Sequence, residues 1–235
     1  IGNRFGKVLD LQEIMSSFFS HCSIREKAII TCSDMVGAHI MFGFQSGNVV
    51  SSGCGYVRDS LYDRFDYQET GAPPNPTKIA CGIHPGPILG YSDGTVWLCG
   101  DRKAAPRKLS PAFSGPVSAL ATSYESRIVA GSTSGELSLW SAKTSDLVCS
   151  VRGSPITSVA VNRDANPRLV ASGHSNGIVR FSSFDGAEAS AALTGETPIR
   201  ALSFFFFSYQ HMVIARETDL SIWDWHRPKL LWSGP

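Results

Sequence analysis

Few residue groups in this 235-residue sequence have types and spacing that could do chemistry, and each sits in a setting that favours a structural part. Gly131-Ser132-Thr133-Ser134-Gly135 has the small residues of a loop that cradles phosphate. Such a loop continues into Lys-Ser or Lys-Thr and opens a helix, whereas Glu136 to Trp140 alternates as a strand, so a hairpin turn is expected. His21, Cys22, Cys32 and His39 are zinc-ligand types, but their spacing matches no common zinc pattern, so neither a metal nor another cofactor is expected. His174 adjoins Ser175-Asn176-Gly177, a turn sequence in which histidine is frequent for conformational reasons. H-E-x-x-H does not occur.

The elements that hold these residues repeat. Arg127 to Trp140, RIVAGSTSGELSLW, reads as an apolar strand, a small-residue turn and a second alternating strand. Aligning on Gly135 superposes Gly47, Gly94, Gly177 and, in a degraded copy, Thr218, with steps of 47, 41, 42 and 41 residues. Three units open alike, on a proline, a β-branched residue and then an apolar residue: Pro116-Val117, Pro155-Ile156 and Pro198-Ile199. Proline suits a strand start because its missing N–H falls outside the ladder. Four short strands per unit with turn residues between them predict antiparallel four-stranded sheets, and no 3.6-residue periodicity lasts long enough for a helical solenoid.

The units span about 26–73, 74–114, 115–153, 154–196 and 197–235, and residues 1–25 form an N-terminal segment that supplies at most part of another unit. The first unit carries an insertion at 54–76, CGYVRDSLYDRFDYQETGAPPNP, part of which can form a fourth strand. Its Tyr62, Arg64, Phe65 and Tyr67 are types enriched at interface hot spots. Small residues at Gly43, Gly90, Gly131 and Gly173 recur at one repeat position, as expected where strands crowd near an axis.

Composition narrows the function classes. The formal net charge is +1, with 21 basic and 20 acidic residues and no run of five like charges, which argues against nucleic acid as a partner. The longest apolar run, around Ala201 to Phe207, falls far short of the roughly 20 residues of a membrane span, so none is expected. Six cysteines with no C-x-x-C pair read as reduced structural thiols in an intracellular, cytoplasmic or nuclear, protein. Phe204 to Phe207 should direct two rings to each face of one strand.

Ser92-Asp93-Gly94-Thr95-Val96-Trp97-Leu98, Gly131 to Trp140 and Leu220-Ser221-Ile222-Trp223-Asp224 resemble the strand–turn–strand segment of WD-repeat β-propellers, and the resemblance covers about residues 27–235. That family's hydrogen-bonded set of histidine, serine or threonine, aspartate and tryptophan survives in fragments. Trp140 and Trp223 match its tryptophan, Cys99 and Ser182 replace it, and Ser92, Thr133 and Ser175 stand at the turn aspartate. The resemblance is thus to a divergent member, subfamily not identified. It implies an all-β propeller of four-stranded antiparallel blades, of which about five are visible where the family most often closes with seven. An incomplete or open ring would expose an edge for another protein to complete.

The expected function is a non-catalytic protein–protein interaction scaffold, one subunit or domain of a larger assembly. Its contact residues would be Tyr62, Arg64, Phe65 and Tyr67 of the insertion, with Asp93, Asn176 and Glu217 on one rim. Two alternatives stand beside it: a propeller hydrolase with a central pocket, and an adaptor that selects substrates for a modifying enzyme. Ser92-Asp93-Gly94 has the wrong spacing for the repeated box of sialidase-type propellers.

Overall fold

The computed structural model of the chain describes residues 30–36, 39–57, 60–68, 70–80, 86–99, 105–123, 127–162, 169–184, 188–205 and 208–235. Among the described residues twenty strands form five antiparallel sheets of four, each in simple sequence order. The first sheet comprises β1 (Ile30–Val36), β2 (His39–Phe44), β3 (Val49–Val57) and β4 (Ser60–Gln68). The second has β5 (Lys78–Ala80), β6 (Ile88–Gly90), β7 (Val96–Leu98) and β8 (Arg107–Leu109). The third has β9 (Val117–Thr122), β10 (Arg127–Ser132), β11 (Glu136–Ser141) and β12 (Leu147–Arg152). The fourth has β13 (Ile156–Val161), β14 (Leu169–His174), β15 (Val179–Ser183) and β16 (Glu188–Leu193). The fifth has β17 (Ile199–Phe205), β18 (Ser208–Arg216), β19 (Leu220–Asp224) and β20 (Lys229–Gly234).

Turn chemistry fixes each second-to-third-strand hairpin. Gly47, Gly94, Gly135 and Gly177 all take φ between 82° and 86°, a region that costs glycine nothing. At Gly135 a β-carbon would also collide with the carbonyl oxygen of Gly153, which leaves the same sheet. Glycine is therefore required twice over. The fifth sheet departs from this pattern: its turn holds Glu217, Thr218 and Asp219, and Leu220 pairs with Ala215 one residue earlier than the spacing elsewhere.

Successive sheets pack through their first two strands, and the glycine row explains how. A β-carbon at Gly90 would stand 2.6 Å from Val117, one at Gly131 2.5 Å from Ile156, and one at Gly173 2.5 Å from Ile199. The β-branched residue after each opening proline therefore lodges in a notch on the preceding sheet. At Gly43 the same place faces Pro76 and Ile79 of the second unit, at 3.7 and 3.8 Å. Crowding thus comes from the next sheet's first strand, and the notch lies on the second strand, not on the strand nearest the neighbours.

Apolar cores lie between sheets, as stacking requires when every sheet has two apolar faces. Val129, Leu137 and Leu139 of the third sheet bury against Ile156, Val159 and Val170 of the fourth. Ala171, Val179 and Phe181 of the fourth bury against Ile199, Leu202 and Met212 of the fifth. Each sheet thus has a trailing face toward its successor and a leading face toward its predecessor. Hydrogen bonds cross the same seams: the Ser118 hydroxyl donates to the Ile156 carbonyl at 2.6 Å, and the Leu202 amide to Ser158 at 3.1 Å. Among the described residues the fifth and first sheets form no packed interface.

The fourth strand expected in part of the insertion is residues 60–68: they form β4, paired over nine residues with β3, with Tyr67 opposite Val50, Phe65 opposite Ser52, Arg64 opposite Gly53 and Tyr62 opposite Gly55. The insertion is a long hairpin arm with a proline-rich exit. Trp223 is half-buried and bonds Ser221 at 3.0 Å, whereas Trp140 is fully buried. Phe204 and Phe205 take opposite faces as alternation requires, while Phe206 and Phe207 lie outside the described residues.

Candidate functional site

Because each sheet stacks on the last through the same contact, the second-to-third-strand turns line up along one end of the array. Turn amides fasten them there: Thr133 N–H donates to Pro116 and Ser175 N–H to Pro155, both at 3.0 Å. Asp93, Asn176 and Glu217 all lie in these turns and are exposed, so the structure does bring the three rim candidates to equivalent places.

Each turn is held by its own polar set. In the second sheet Asp93 accepts from the Thr95 amide and hydroxyl at 3.0 and 2.7 Å, and Thr95 accepts from Trp97 Nε1 at 3.3 Å. Burial opposes the Asp93 charge, but the two Thr95 donors outweigh it and hold the carboxyl below its ordinary range. In the fourth, Asn176 donates to the Ser154 hydroxyl at 2.8 Å and accepts from the Ile178 amide. In the fifth, Glu217 pairs with Arg200 at 3.2 Å, and both are exposed, so the pair adds little stability.

The third sheet places its charge deeper. Glu136 accepts through Oε2 from the Ser114 amide, the Ser114 hydroxyl and the Ser134 hydroxyl at 2.8 to 3.0 Å, and Oε1 meets Arg152 at 3.2 Å. The Ser114 amide leads the effects that hold this carboxyl below its ordinary range. Sequence reasoning missed Glu136, although an acidic residue inside an apolar alternation was a readable signal.

His174 is the last residue of β14, not a turn residue, and it is buried. Its Nδ1 lies 2.8 Å from the Ser154 carbonyl, which can only accept, so Nδ1 carries the hydrogen. Nε2 then accepts from the Ser172 hydroxyl at 3.0 Å. Burial lowers the imidazole's pKa, the Ser154 carbonyl opposes that, and the Arg180 charge adds to it. Arg216 is the fifth-sheet equivalent, with a side chain only 7% exposed. It reaches Asp219 at 3.4 Å and Ser221 at 3.1 Å, and its Nε is left without a partner. An arginine ending the apolar run Met212 to Ala215 was the signal for it.

Between the third and fourth sheets, Gly153, Ser172, His174 and Arg180 border a cavity of about 20 Å³. That space holds about one water molecule, far below the several hundred Å³ of a small-molecule site. Among the described residues no three histidine, cysteine or acidic side chains gather as a metal site. Of the four zinc-type residues, His21 and Cys22 lie outside the described residues, as does the side chain of His39. The side chains of Tyr62, Arg64, Phe65 and Tyr67 likewise lie outside them.

A further surface was not foreseen. The trailing face of the fifth sheet carries Leu220 and Trp232, exposed by 39% and 48%. The equivalent third-sheet residue Leu137 is 4% exposed because the fourth sheet covers it.

No protein-family model and no curated protein matches the sequence. Similarity is found among solved structures. The crystal structure of the computationally designed Ika8 protein superposes with a TM-score of 0.64 at 20% identity, over 87% of this chain and 61% of that chain. This chain thus spans less than two thirds of that protein's length. At such identity the likeness is one of fold, and with 1398 matching solved chains the fold alone names no activity. Among the described residues no helix is long and apolar enough to cross a membrane.

Proposed function

We propose that this chain supplies blades of a divergent WD-repeat-like β-propeller that serves as a non-catalytic protein–protein interaction scaffold. The observation that carries the reading is the line of exposed turns along one end, each backed by a polar set inside its own sheet. Asp93, Asn176 and Glu217 lie on that line, joined by Thr133 and Ser134 of the third sheet. A partner spanning several turns meets a surface ordered in advance, so little entropy is lost on docking. The β4 arm, with Tyr62, Arg64, Phe65 and Tyr67, is a second contact surface of the same scaffold.

Opposite charges on the rim test this. Thr133→Arg, Asn176→Arg and Glu217→Arg combined change exposed turn residues and leave the inter-sheet cores untouched. The tagged variant should melt within a few degrees of wild type and lose proteins recovered with the wild-type chain by affinity purification. Unchanged recovery would remove the rim from the reading. Retained recovery after Tyr62→Ala, Arg64→Ala and Phe65→Ala would likewise remove the arm.

A further inference from the structure

We infer that the cavity between the third and fourth sheets is a subsite for one side-chain carboxylate, a glutamate or aspartate carried by a protein partner. This deepens the scaffold reading above and rests on it for the occupant, while the site itself follows from a departure in the repeat. Trp140 and Trp223 stand at one register position of the third and fifth sheets, and Ser182 stands there in the fourth. Two residues earlier, the buried serines Ser138 and Ser221 give way to Arg180. The fourth sheet thus lacks the indole its neighbours carry and sets a cation beside the gap.

The space left is the cavity of about 20 Å³, and its walls differ. Leu137, Val151 and Ile156 make one side apolar, while Ser172, His174, Arg180 and Ser182 make the other polar. Ser172 and His174 bond each other, and His174 also bonds the Ser154 carbonyl. Two donors remain. Ser182 is only 5% exposed, yet its hydroxyl makes no hydrogen bond among the described residues. The half-buried Arg180 side chain has neither ion pair nor hydrogen bond among them.

Glu136 does not serve Arg180. Its Oε1 meets Arg152 and its Oε2 takes three donors. Alternation also places it on the opposite face of the third sheet from Leu137. What the cavity lacks is therefore an acceptor that carries negative charge. A partly buried cation without a counter-charge is costly, and a carboxylate offsets that cost through charge-assisted hydrogen bonds.

Size and access select the occupant. The space takes one oxygen-sized group, too little for a tetrahedral phosphate. One carboxylate oxygen enters toward Arg180 and Ser182, and the carbon stem of the same side chain suits the apolar wall. A β-carbon at Gly153 would stand 3.0 Å from Arg180 Nη1, so the guanidinium lies against that exposed connection. Asn176 holds the adjoining Ser154, which sets the mouth beside the rim of turns.

The test titrates purified protein with N-acetyl-glutamic acid α-amide, whose only charge is the side-chain carboxylate, and with its neutral glutamine counterpart. Nuclear magnetic resonance reads the Arg180 Nε–H and His174 ring signals at fixed ionic strength. Expected is a saturable shift with the glutamate probe and none with the glutamine probe. Binding should weaken about tenfold or more in Arg180→Gln and in Ser182→Trp, which restores the indole, and stay within about twofold in Arg152→Gln. Each variant is checked for a retained melting transition, and Arg180→Gln decides the matter if Ser182→Trp does not fold. No saturation, an equal response to the glutamine probe, or equal weakening by Arg152→Gln would overturn the inference. So would the same shift produced by sodium chloride, which would mark an adventitious ion only. Probe binding with unchanged recovery by the rim variant would sink the rim and leave the subsite, whereas lost recovery without probe binding would sink the subsite alone.

Discussion

Ile156 fits against Gly131 so closely that a β-carbon on the glycine would stand 2.5 Å from the isoleucine Cγ2, 3.0 Å from its Cβ and 3.2 Å from its Cδ1. Ile156 is 1% exposed there, so it has nowhere to retreat. One missing side chain on the third sheet and one β-branched side chain on the fourth thus form a single device, repeated at Gly90 with Val117 and at Gly173 with Ile199.

Gly131→Ala should destabilise the protein by about 1–3 kcal/mol, the usual cost of overpacking a filled site. Ile156→Ala alone should cost about 2–5 kcal/mol through cavity formation. In the double variant the new methyl occupies space the isoleucine vacated, so the loss should fall short of the sum by at least about 1 kcal/mol. Urea denaturation of the four proteins measures this, and strict additivity would contradict the notch.

Trp140 is fully buried, donates from Nε1 to the Ser110 carbonyl at 2.9 Å and meets Phe113 edge-on at 5.8 Å. Trp140→Ala should cost about 3–5 kcal/mol. Trp223→Phe keeps most of a half-buried ring and loses one hydrogen bond, so it should cost about 1 kcal/mol. Thermal unfolding that ranked Trp223 above Trp140 would reverse the core assignment.

Acid should weaken the fold in two separable steps. His174 has its pKa lowered by burial, so below its ordinary value of about 6.5 the unfolded chain binds the proton more readily. Its contribution is complete above that pH and declines as pH falls below it. Glu136 has its pKa lowered by its donors, so its contribution is complete above about 4.5 and is lost as pH falls through its folded value. Melting temperature against pH should lose the upper slope in His174→Gln and the lower one in Glu136→Gln. A His174→Gln profile identical in slope to wild type between about pH 7.5 and about pH 5.5, the ordinary imidazole range, would show that the buried ring is not desolvated.

Cys99 is wholly buried, and burial pushes its thiol up to about 11, with Thr70 opposing. It should resist alkylation at neutral pH until the second sheet opens. Cys149, half-buried on β12, should react before Cys99. Peptide mapping of a timed iodoacetamide reaction gives the order, and early modification of Cys99 would mean that its sheet opens locally.

Much of this protein was legible because its fold repeats. The steps between Gly47, Gly94, Gly135 and Gly177, with the degraded copy at Thr218, marked five sheets, since turn chemistry recurs wherever the same hairpin does. The proline and β-branched openings marked the first strands for the same reason. Local rules of turn and alternation act over a few residues, and the chain order of the sheets follows from them.

Tertiary structure decided what distance along the chain conceals. The crowding at Gly131 comes from Ile156, 25 positions away in sequence, and only packing shows which side chain fills which notch. Glu136 and His174 look like ordinary polar residues until their hydrogen-bond partners arrive from Ser114, which donates to Glu136, and from the Ser154 carbonyl, which accepts from His174. Residues 60–68 carry an interleaved aromatic and charged pattern with no clear apolar face, so the sequence placed a fourth strand only somewhere in the insertion, and pairing with β3 sets its extent. The alternation of Leu220, Ile222 and Trp232 matches that of Leu137 and Leu139, and the chain reads the same in both places. Whether such a face is core or surface depends on what lies against it, which no local pattern contains.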